Sequence, residues 1–413
     1  MEEKIYGLLG RKLGHSYSVN VHRKLGNNAY RLYELEPDGL EAFIRSENVG
    51  GLNVTIPYKV EAMKYCDVIS PEAEEIGAVN TIVRKNGKIF GYNSDKYGFI
   101  HMLEKCGIDV SGKKVIVLGS GGASKTACYC VKSLGAKELT VISRNGENNY
   151  GNIDKHFNAE IIINATPVGM YPENGSSPVE LDRFTACKGV VDMIYNPLRT
   201  KLLLDAERLG IRSAGGLSML TAQAKKAAEY FFDTEYPDGI TDEITDEIIR
   251  ECENIVIIGM PGSGKSVIGT ALAKITGREL FDTDTEIEKN TGKSIPRIFA
   301  EDGEKKFREA ESETVEYLGK QSGKIIVTGG GAVTVEKNFG FLRQNGRIYE
   351  IKRDISLLSR DGRPLSQRAD LAEMYAKRRP MYEKFRDVCI NNDKTPEDAA
   401  EKIRRDFYEN SRY

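Results

Sequence analysis

An α/β fold built on parallel sheets is what the sequence predicts, and three observations carry that expectation. Short β-branched runs alternate with helix-like stretches: KVIVLG, ELTVISR, IIINAT and GVVDMIY first, then NIVIIG, KIIVTGG and GRIYEI. Such alternation is the pattern of parallel strands joined by crossover helices. Two glycine-rich turns, VLGSGGASKTA and IIGMPGSGKS, each stand directly between an apolar strand and a helix. Between them the chain turns acidic and poor in β-formers in YPDGITDEITDEIIRECE, with Pro237 and Gly239 as breakers. That stretch marks a boundary between two halves, part of it a short helix.

Composition narrows the function. The 413 residues are 40% hydrophobic and 8% aromatic, enough for roughly two to four domains with real cores. Lys plus Arg number 59 against 61 for Asp plus Glu, so no overall field draws the molecule to nucleic acid or an anionic membrane, and a small-molecule substrate is favoured. The seven cysteines, Cys66, Cys106, Cys128, Cys130, Cys187, Cys252 and Cys389, show no CxxC spacing, which fits reduced thiols in the cytoplasm. The start MEEKIYGLLG has acids where a signal peptide needs positive charge, and no apolar run approaches the ~18 residues of a membrane span. Neither export nor anchoring is expected.

A second boundary is expected near residue 100, where loops rich in Gly, Asn and Ser give way to SGKKVIVLGSGGASKTACYCVKSLG. The expected organisation is a catalytic lobe over 1–100, a nucleotide-binding lobe over 101–216, a linker over 236–252 and a P-loop domain over 253–413.

In the last of these, GMPGSGKS matches GxxxxGK[ST] after a buried strand and at the opening of a helix. Backbone N–H groups along Gly262, Ser263, Gly264, Lys265, Ser266 and Val267 would surround the phosphates of ATP. Lys265 would reach the β and γ oxygens, and the Ser266 hydroxyl would bind Mg²⁺. The strand KIIVTGGGAV ends in Gly329, Gly330 and Gly331 rather than in a metal-binding acid, and an NKxD motif is absent. The carboxylates come earlier, as Asp282 and Asp284 in LFDTDTEIEKNTG. One of the two would help bind Mg²⁺ and the other accept a hydroxyl proton, since phosphoryl transfer needs positioning, charge neutralisation and a base.

With these motifs, residues 253 to about 410 resemble shikimate kinase. The resemblance implies that Asp282 supports Mg²⁺ and that Asp284 holds the shikimate hydroxyls and serves as base. Arg308 in KKFREAE, Gly330 in the triple glycine and Arg378 in AKRRPMY would grip the substrate carboxylate and ring. A planar guanidinium suits a carboxylate because it binds both oxygens. Arg363 in DGRPLSQ would close over the phosphates.

In the first half, Gly119, Gly121 and Gly122 let a pyrophosphate approach a helix N-terminus, with Ser120 and Ala123 in the same loop. The next strand ends in Ser143, Arg144 and Asn145 and lacks the acid that would bind a free ribose 2′-OH. A cation there favours a 2′-phosphate, hence NADP(H) over NAD. Hydride donation to a carbonyl creates an alkoxide, so a proton donor must lie within hydrogen-bond reach. Asn53, Thr55 and Lys59 in GGLNVTIPYK and Asp95 in GYNSDKYGF are candidates, with Lys59 and Asp95 stabilising each other's charged forms.

These stretches, in this order, resemble shikimate dehydrogenase over residues 1 to about 235. The resemblance implies Ser16 and Ser18 for the substrate carboxylate, Asn53, Thr55 and Asn80 around the ring, and Lys59 with Asp95 as the catalytic pair. Thr166, Met193 and Tyr195 would flank the nicotinamide end, with Tyr195 also on the substrate. Residues 217–235 would return to complete the first lobe, with Gly216 near the cofactor and Gln223 on the substrate. Two positions differ from the family pattern, Lys96 where Gly is usual and Ser120 where Ala is common.

The expected fold is therefore a two-lobed α/β dehydrogenase with a Rossmann-type NADP lobe, followed by a P-loop kinase domain with a central parallel sheet. The expected function is bifunctional: NADPH reduces 3-dehydroshikimate, then ATP with Mg²⁺ phosphorylates shikimate. Two other readings keep the same folds, namely a non-catalytic metabolite sensor and an NAD-dependent quinate dehydrogenase fused to the kinase. A sensor usually shows eroded reacting residues, yet Lys59, Asp95, Lys265, Ser266 and Asp284 are all present.

Overall fold

The computed structural model describes residues 4–14, 16–358 and 371–410. The chain divides into two compact units at 196/197, 201/202 and 245/246, so that residues 197–201 group with the later unit.

The earlier unit opens with β1 (Ile5–Gly10), α1 (Ser18–Lys24), β2 (Tyr30–Glu34), α2 (Leu40–Arg45), β3 (Val49–Val54), β4 (Val68–Ile69), α3 (Pro71–Ile76), β5 (Thr81–Lys85), β6 (Lys88–Tyr92) and α4 (Asp95–Cys106). Its six strands are ordered β2-β1-β3-β5-β6-β4, with β3 parallel to β1 and antiparallel to β5. Every residue of β3 is buried, which is why VGGLNV carries no polar side chain but Asn53. Leu9, Leu52 and Val54 pack with Leu40 and Ile44 of α2 on one face. Leu8, Tyr30 and Val83 pack on the other with Phe231.

The second lobe holds β7 (Lys114–Leu118), α5 (Gly122–Ser133), β8 (Glu138–Ile142), β9 (Ile161–Asn164), β10 (Gly189–Asp192), α6 (Lys201–Arg208), β11 (Arg212–Gly215) and α7 (Leu217–Phe232). The strands are all parallel in the order β11-β10-β9-β7-β8. Val115 and Val117 face one core, Ile116 and Leu118 the other, as expected for a sheet covered on both faces. The chain leaves β7 to one side for β8 and crosses to the other for β9. The loops after β7 and β9 therefore bound the crevice where such sheets take ligands. The division expected at residue 100 falls inside α4, so the two lobes share that helix.

The stretch read as a linker contains helix α8 (Ile240–Cys252), and the boundary at 245/246 falls within it. The later unit continues with β12 (Asn254–Ile258), α9 (Lys265–Thr276), β13 (Leu280–Asp282), α10 (Thr283–Thr291), α11 (Ile295–Glu301), α12 (Gly303–Gly319), β14 (Ile325–Val327), α13 (Lys337–Arg343), β15 (Gly346–Lys352), α14 (Leu371–Phe385), β16 (Val388–Asn391) and α15 (Pro396–Asn410). Five parallel strands are ordered β13-β14-β12-β15-β16. Ile255 and Ile257 pack with Ile268, Leu272 and Phe407, while Val256 and Ile258 pack with Val315, Leu342 and Tyr382. Each fully buried side chain of this kind contributes roughly 1.5–3 kcal/mol. Arg363 lies outside the described residues. No helix among the described residues is long and apolar enough to cross a membrane.

Candidate active sites

Lys59 follows β3 and Asp95 opens α4, where the helix N-terminus favours a carboxylate. Lys59 Nζ donates to Asp95 Oδ2 at 2.5 Å, and the side chains are only 14% and 8% exposed. The stem of Lys59 runs past α5, with Cδ 3.4 Å from where a Cβ on Gly122 would sit. The ammonium is thus held beside the nucleotide loop of the other lobe.

Around this pair the first lobe and α7 gather polar groups. Asn80 Oδ1 accepts from Ser94 N at 2.7 Å, Asn80 Nδ2 donates to Ser94 Oγ at 3.1 Å, and Ser94 Oγ donates to Gln223 Oε1 at 3.3 Å. Ser94, fully buried, thereby ties Asn80 to Gln223 and immediately precedes Asp95. Ser16 Oγ donates to Ser18 Oγ at 3.1 Å, and burial raises the pKa of the Tyr195 phenol while nearby Ser16 opposes that shift. Thr55 is half-buried in the turn toward Lys59, its N–H donating to Leu9 O at 2.9 Å. Asn53 points inward instead. Its Oδ1 accepts from the Tyr30 hydroxyl at 2.8 Å and lies 3.0 Å from His22 Nε2, and the His22 and Tyr30 rings stack at 3.8 Å. Asn53 braces the sheet beneath the site.

The nucleotide cradle follows from backbone geometry. Gly119 has φ +105°, and a Cβ there would lie 3.0 Å from Ala165 O and 3.1 Å from the Thr166 methyl. Only glycine suits that combination. Gly121 caps α5 with no side-chain hydrogen bond, and no heavy atom lies within 4 Å of where its Cβ would be. The N–H groups of Gly122 and Ala123 are thus left for an anion, with Ser120 in the turn. Thr166 Oγ1 donates to Asn164 Oδ1 at 2.7 Å, and Asn164 Nδ2 to Asp192 Oδ1 at 3.0 Å, which locks the ends of β9 and β10. Gly216 caps α7 and backs onto Met193 O so closely that any Cβ would collide. Ser143 and exposed Arg144 follow β8, at the edge of the same sheet.

In the later unit Gly262 and Gly264 have φ +81° and +97°, and α9 begins without a side-chain cap. Lys265 Nζ donates to Gly259 O at 2.9 Å and Met260 O at 3.0 Å. Ser263 is buried beside it and Val267 exposed. Ser266 Oγ donates to Asp282 Oδ2 at 2.7 Å, so two hard oxygen donors converge, as a site for Mg²⁺ needs. Asp282 Oδ1 accepts from Asp284 N at 3.0 Å. Burial, then the Asp282 charge, raises the pKa of Asp284, while Lys265 and Arg308 oppose that shift.

The triple glycine lets three side chains crowd the backbone. A Cβ on Gly329 would lie 2.7 Å from Asp284 Oδ1 and 2.8 Å from Glu311 Oε1, and one on Gly331 would strike the Arg308 guanidinium. Both carboxylate oxygens are buried without a hydrogen-bond partner among the described residues. Arg308 Nη1 donates to Glu311 Oε2 at 2.6 Å, and Gly330 O accepts from Arg378 at 3.0 Å and the Tyr382 hydroxyl at 2.6 Å. Arg308, Asp284 and Arg378 therefore converge on the triple glycine. Ser94 and Glu311 were not expected from sequence. The signals were present, since Ser94 sits inside NSD and Glu311 stands three residues after Arg308 on one helix face.

Comparison with known proteins matches two separate parts of the chain. The family model for shikimate kinase matches residues 261–407, and that for the shikimate dehydrogenase substrate-binding domain matches residues 8–82. The NADP(+)-type shikimate dehydrogenase of Clostridium perfringens strain SM101 is 38% identical over 270 residues, covering 60% of this chain and 97% of the relative. Among solved structures, shikimate dehydrogenase 1 of Peptoclostridium difficile is 38% identical with a TM-score of 0.57, covering 59% of this chain and 97% of its own. A Thermus thermophilus shikimate 5-dehydrogenase in complex with NADP(H) and shikimate is 27% identical with a TM-score of 0.54, covering 59% of this chain and 99% of its own.

Proposed function

The chain belongs to the shikimate dehydrogenase family and carries a shikimate kinase domain, and from that premise we propose how its residues divide two consecutive reactions. The enzyme is bifunctional, an NADP-dependent dehydrogenase joined to an ATP-dependent kinase. The first half reduces 3-dehydroshikimate to shikimate and the second phosphorylates the 3-hydroxyl of the product.

In the first half, Ser16, Ser18 and Tyr195 receive the substrate carboxylate, while Thr55, Asn80 and Gln223 satisfy ring oxygens once water is excluded. The Gly119–Ala123 turn, Ser143 and Arg144 would hold the phosphates of NADPH and Thr166, Met193 and Gly216 its nicotinamide end, and the cofactor would supply the hydride. Lys59, held in place by Asp95, gives a proton to the oxygen that becomes the hydroxyl. Asn53 acts indirectly, holding the strand that leads to Thr55 and Lys59.

In the second half, Arg308, Gly330 and Arg378 orient shikimate, and Asp284 takes the proton from the attacking hydroxyl. Lys265 neutralises phosphate charge, as does Arg363 in this reading. Ser266 and Asp282 would hold Mg²⁺, which would supply positive charge against the phosphates. All seven cysteines are free thiols, which supports placing the enzyme in the reducing cytoplasm.

The observation that carries the proposal is the Lys59–Asp95 pair lying against the nucleotide loop. NADPH consumption with 3-dehydroshikimate, and ADP release with shikimate, should each be seen with the purified chain. Turnover of quinate with NAD in preference would replace the first assignment.

A further inference from the structure

Between Ser16 and Ser18 stands Tyr17, the residue that precedes α1. Its carbonyl accepts from Val21 N at 3.0 Å, which ties it to the first turn of that helix. Its ring lies 5.4 Å from the ring of Tyr195, centroid to centroid, at an interplanar angle of 51°. Tyr195 follows β10 in the nucleotide-binding lobe, so this aromatic contact spans the crevice between the lobes of the dehydrogenase. Ser16 lies close enough to the Tyr195 hydroxyl to oppose the rise that burial gives its pKa. Tyr195 of one lobe thus meets the segment before α1 of the other ring against ring, with Ser16 near its hydroxyl.

The two contacts respond differently to a ligand. A carboxylate arriving at Ser16 and Ser18 competes for the hydroxyl hydrogen bonds, because Ser16 Oγ is already engaged with Ser18 Oγ at 3.1 Å and accepts from Ser18 N at 3.2 Å. It does not compete for the ring contact. A tilted aromatic pair at this separation is attractive beyond the area it buries. It therefore keeps Tyr195 in place while the hydroxyls turn to the substrate.

We propose that Tyr17 is a positioning residue that holds Tyr195 over the Ser16 and Ser18 hydroxyls and so closes the nucleotide lobe on the carboxylate end of the acid. It rests on the dehydrogenase assignment and names the residue that sets affinity for the substrate rather than the rate of reduction. The acid–base pair stands on other elements, after β3 and at the start of α4, so losing the Tyr17 ring weakens binding without touching proton transfer.

The test is steady-state oxidation of shikimate by NADP⁺ with the full chain, comparing wild type, Tyr17→Ala, Tyr17→Phe, Tyr195→Leu and the Tyr17→Ala/Tyr195→Leu double variant. Kinase turnover and melting temperature are followed on the same preparations. Tyr17→Ala raises KM for shikimate about three- to tenfold, with kcat and KM for NADP⁺ changed less than about twofold. Tyr17→Phe restores the wild-type KM. In the Tyr195→Leu background, Tyr17→Ala has little further effect, because the two rings act as one unit. A wild-type KM in Tyr17→Ala, failure of Phe to restore it, or full additivity with Tyr195→Leu overturns the proposal. Absence of shikimate oxidation by wild type would instead overturn the assignment beneath it.

Discussion

Lys59 Nζ and Asp95 Oδ2 are 2.5 Å apart, which joins the turn after β3 to the first residue of α4 and holds an ammonium over the nucleotide loop. A lysine that moves a proton in the transition state cannot be replaced by its uncharged outline. Lys59→Met should lower dehydrogenase kcat about 10²–10⁴-fold while ADP formation with shikimate stays at the wild-type rate. Equal loss of both activities would mean a folding defect rather than lost chemistry.

Asp284 gives a pH signature. Burial and Asp282 raise its folded pKa, so the base protonates, and kinase rate falls, at a higher pH than an ordinary aspartate near 3.9 would set. The linkage runs the same way. A raised folded pKa favours the fold below the unfolded pKa, and that contribution is lost as pH rises through the folded value. Asp284→Asn should therefore abolish phosphorylation yet raise the melting temperature of its unit at pH 8 more than at pH 4, as thermal melts at the two pH values will show.

Gly119 carries φ +105° and faces Ala165 O at 3.0 Å from a would-be Cβ. Gly119→Ala should cost about 1–3 kcal/mol in strain and push the phosphate turn away from α5. The expected readout is a KM for NADP⁺ raised about tenfold or more, with ATP kinetics of the same chain unchanged.

His22 is stacked on Tyr30 and sealed in the core, and burial pushes its imidazole down to about 3, against the hydrogen bond to Asn53. The unfolded chain binds this proton near 6.5 and the folded one does not. The corresponding stability is present above about pH 6.5 and is lost as pH falls toward 3, at about 1.4 kcal/mol per pH unit within that window. Urea titrations of wild type and His22→Asn between pH 4 and 7 should differ in slope by up to about one proton.

The alternation of β-branched runs was enough to read the two parallel sheets covered by helices, and the glycine turns marked the loops before α5 and α9. These features are local in sequence, so periodicity and spacing report them directly. What the sequence did not reveal depends on contacts between distant segments. Asn53 reads as a polar residue at a site, but Tyr30 and His22 approach it from other elements and turn it inward. Ser94 looks like a spacer before Asp95, and only the packing of α7 against α4 brings Gln223 to it. Glu311 matters because the triple glycine brings its carboxylate beside Asp284. The division at residue 100 missed α4 because Lys96 and Tyr97 supply no break at a helix that starts at Asp95 and stops at Gly107.

The central claim is that the product of one site is the acceptor of the other within a single chain. It is tested by mixing the purified protein with 3-dehydroshikimate, ATP and Mg²⁺, and following ADP before and after NADPH is added. ADP release should begin only on addition of NADPH, vanish in Lys59→Met and return when shikimate is supplied. ADP release from 3-dehydroshikimate without NADPH, or none with every component present, would contradict it.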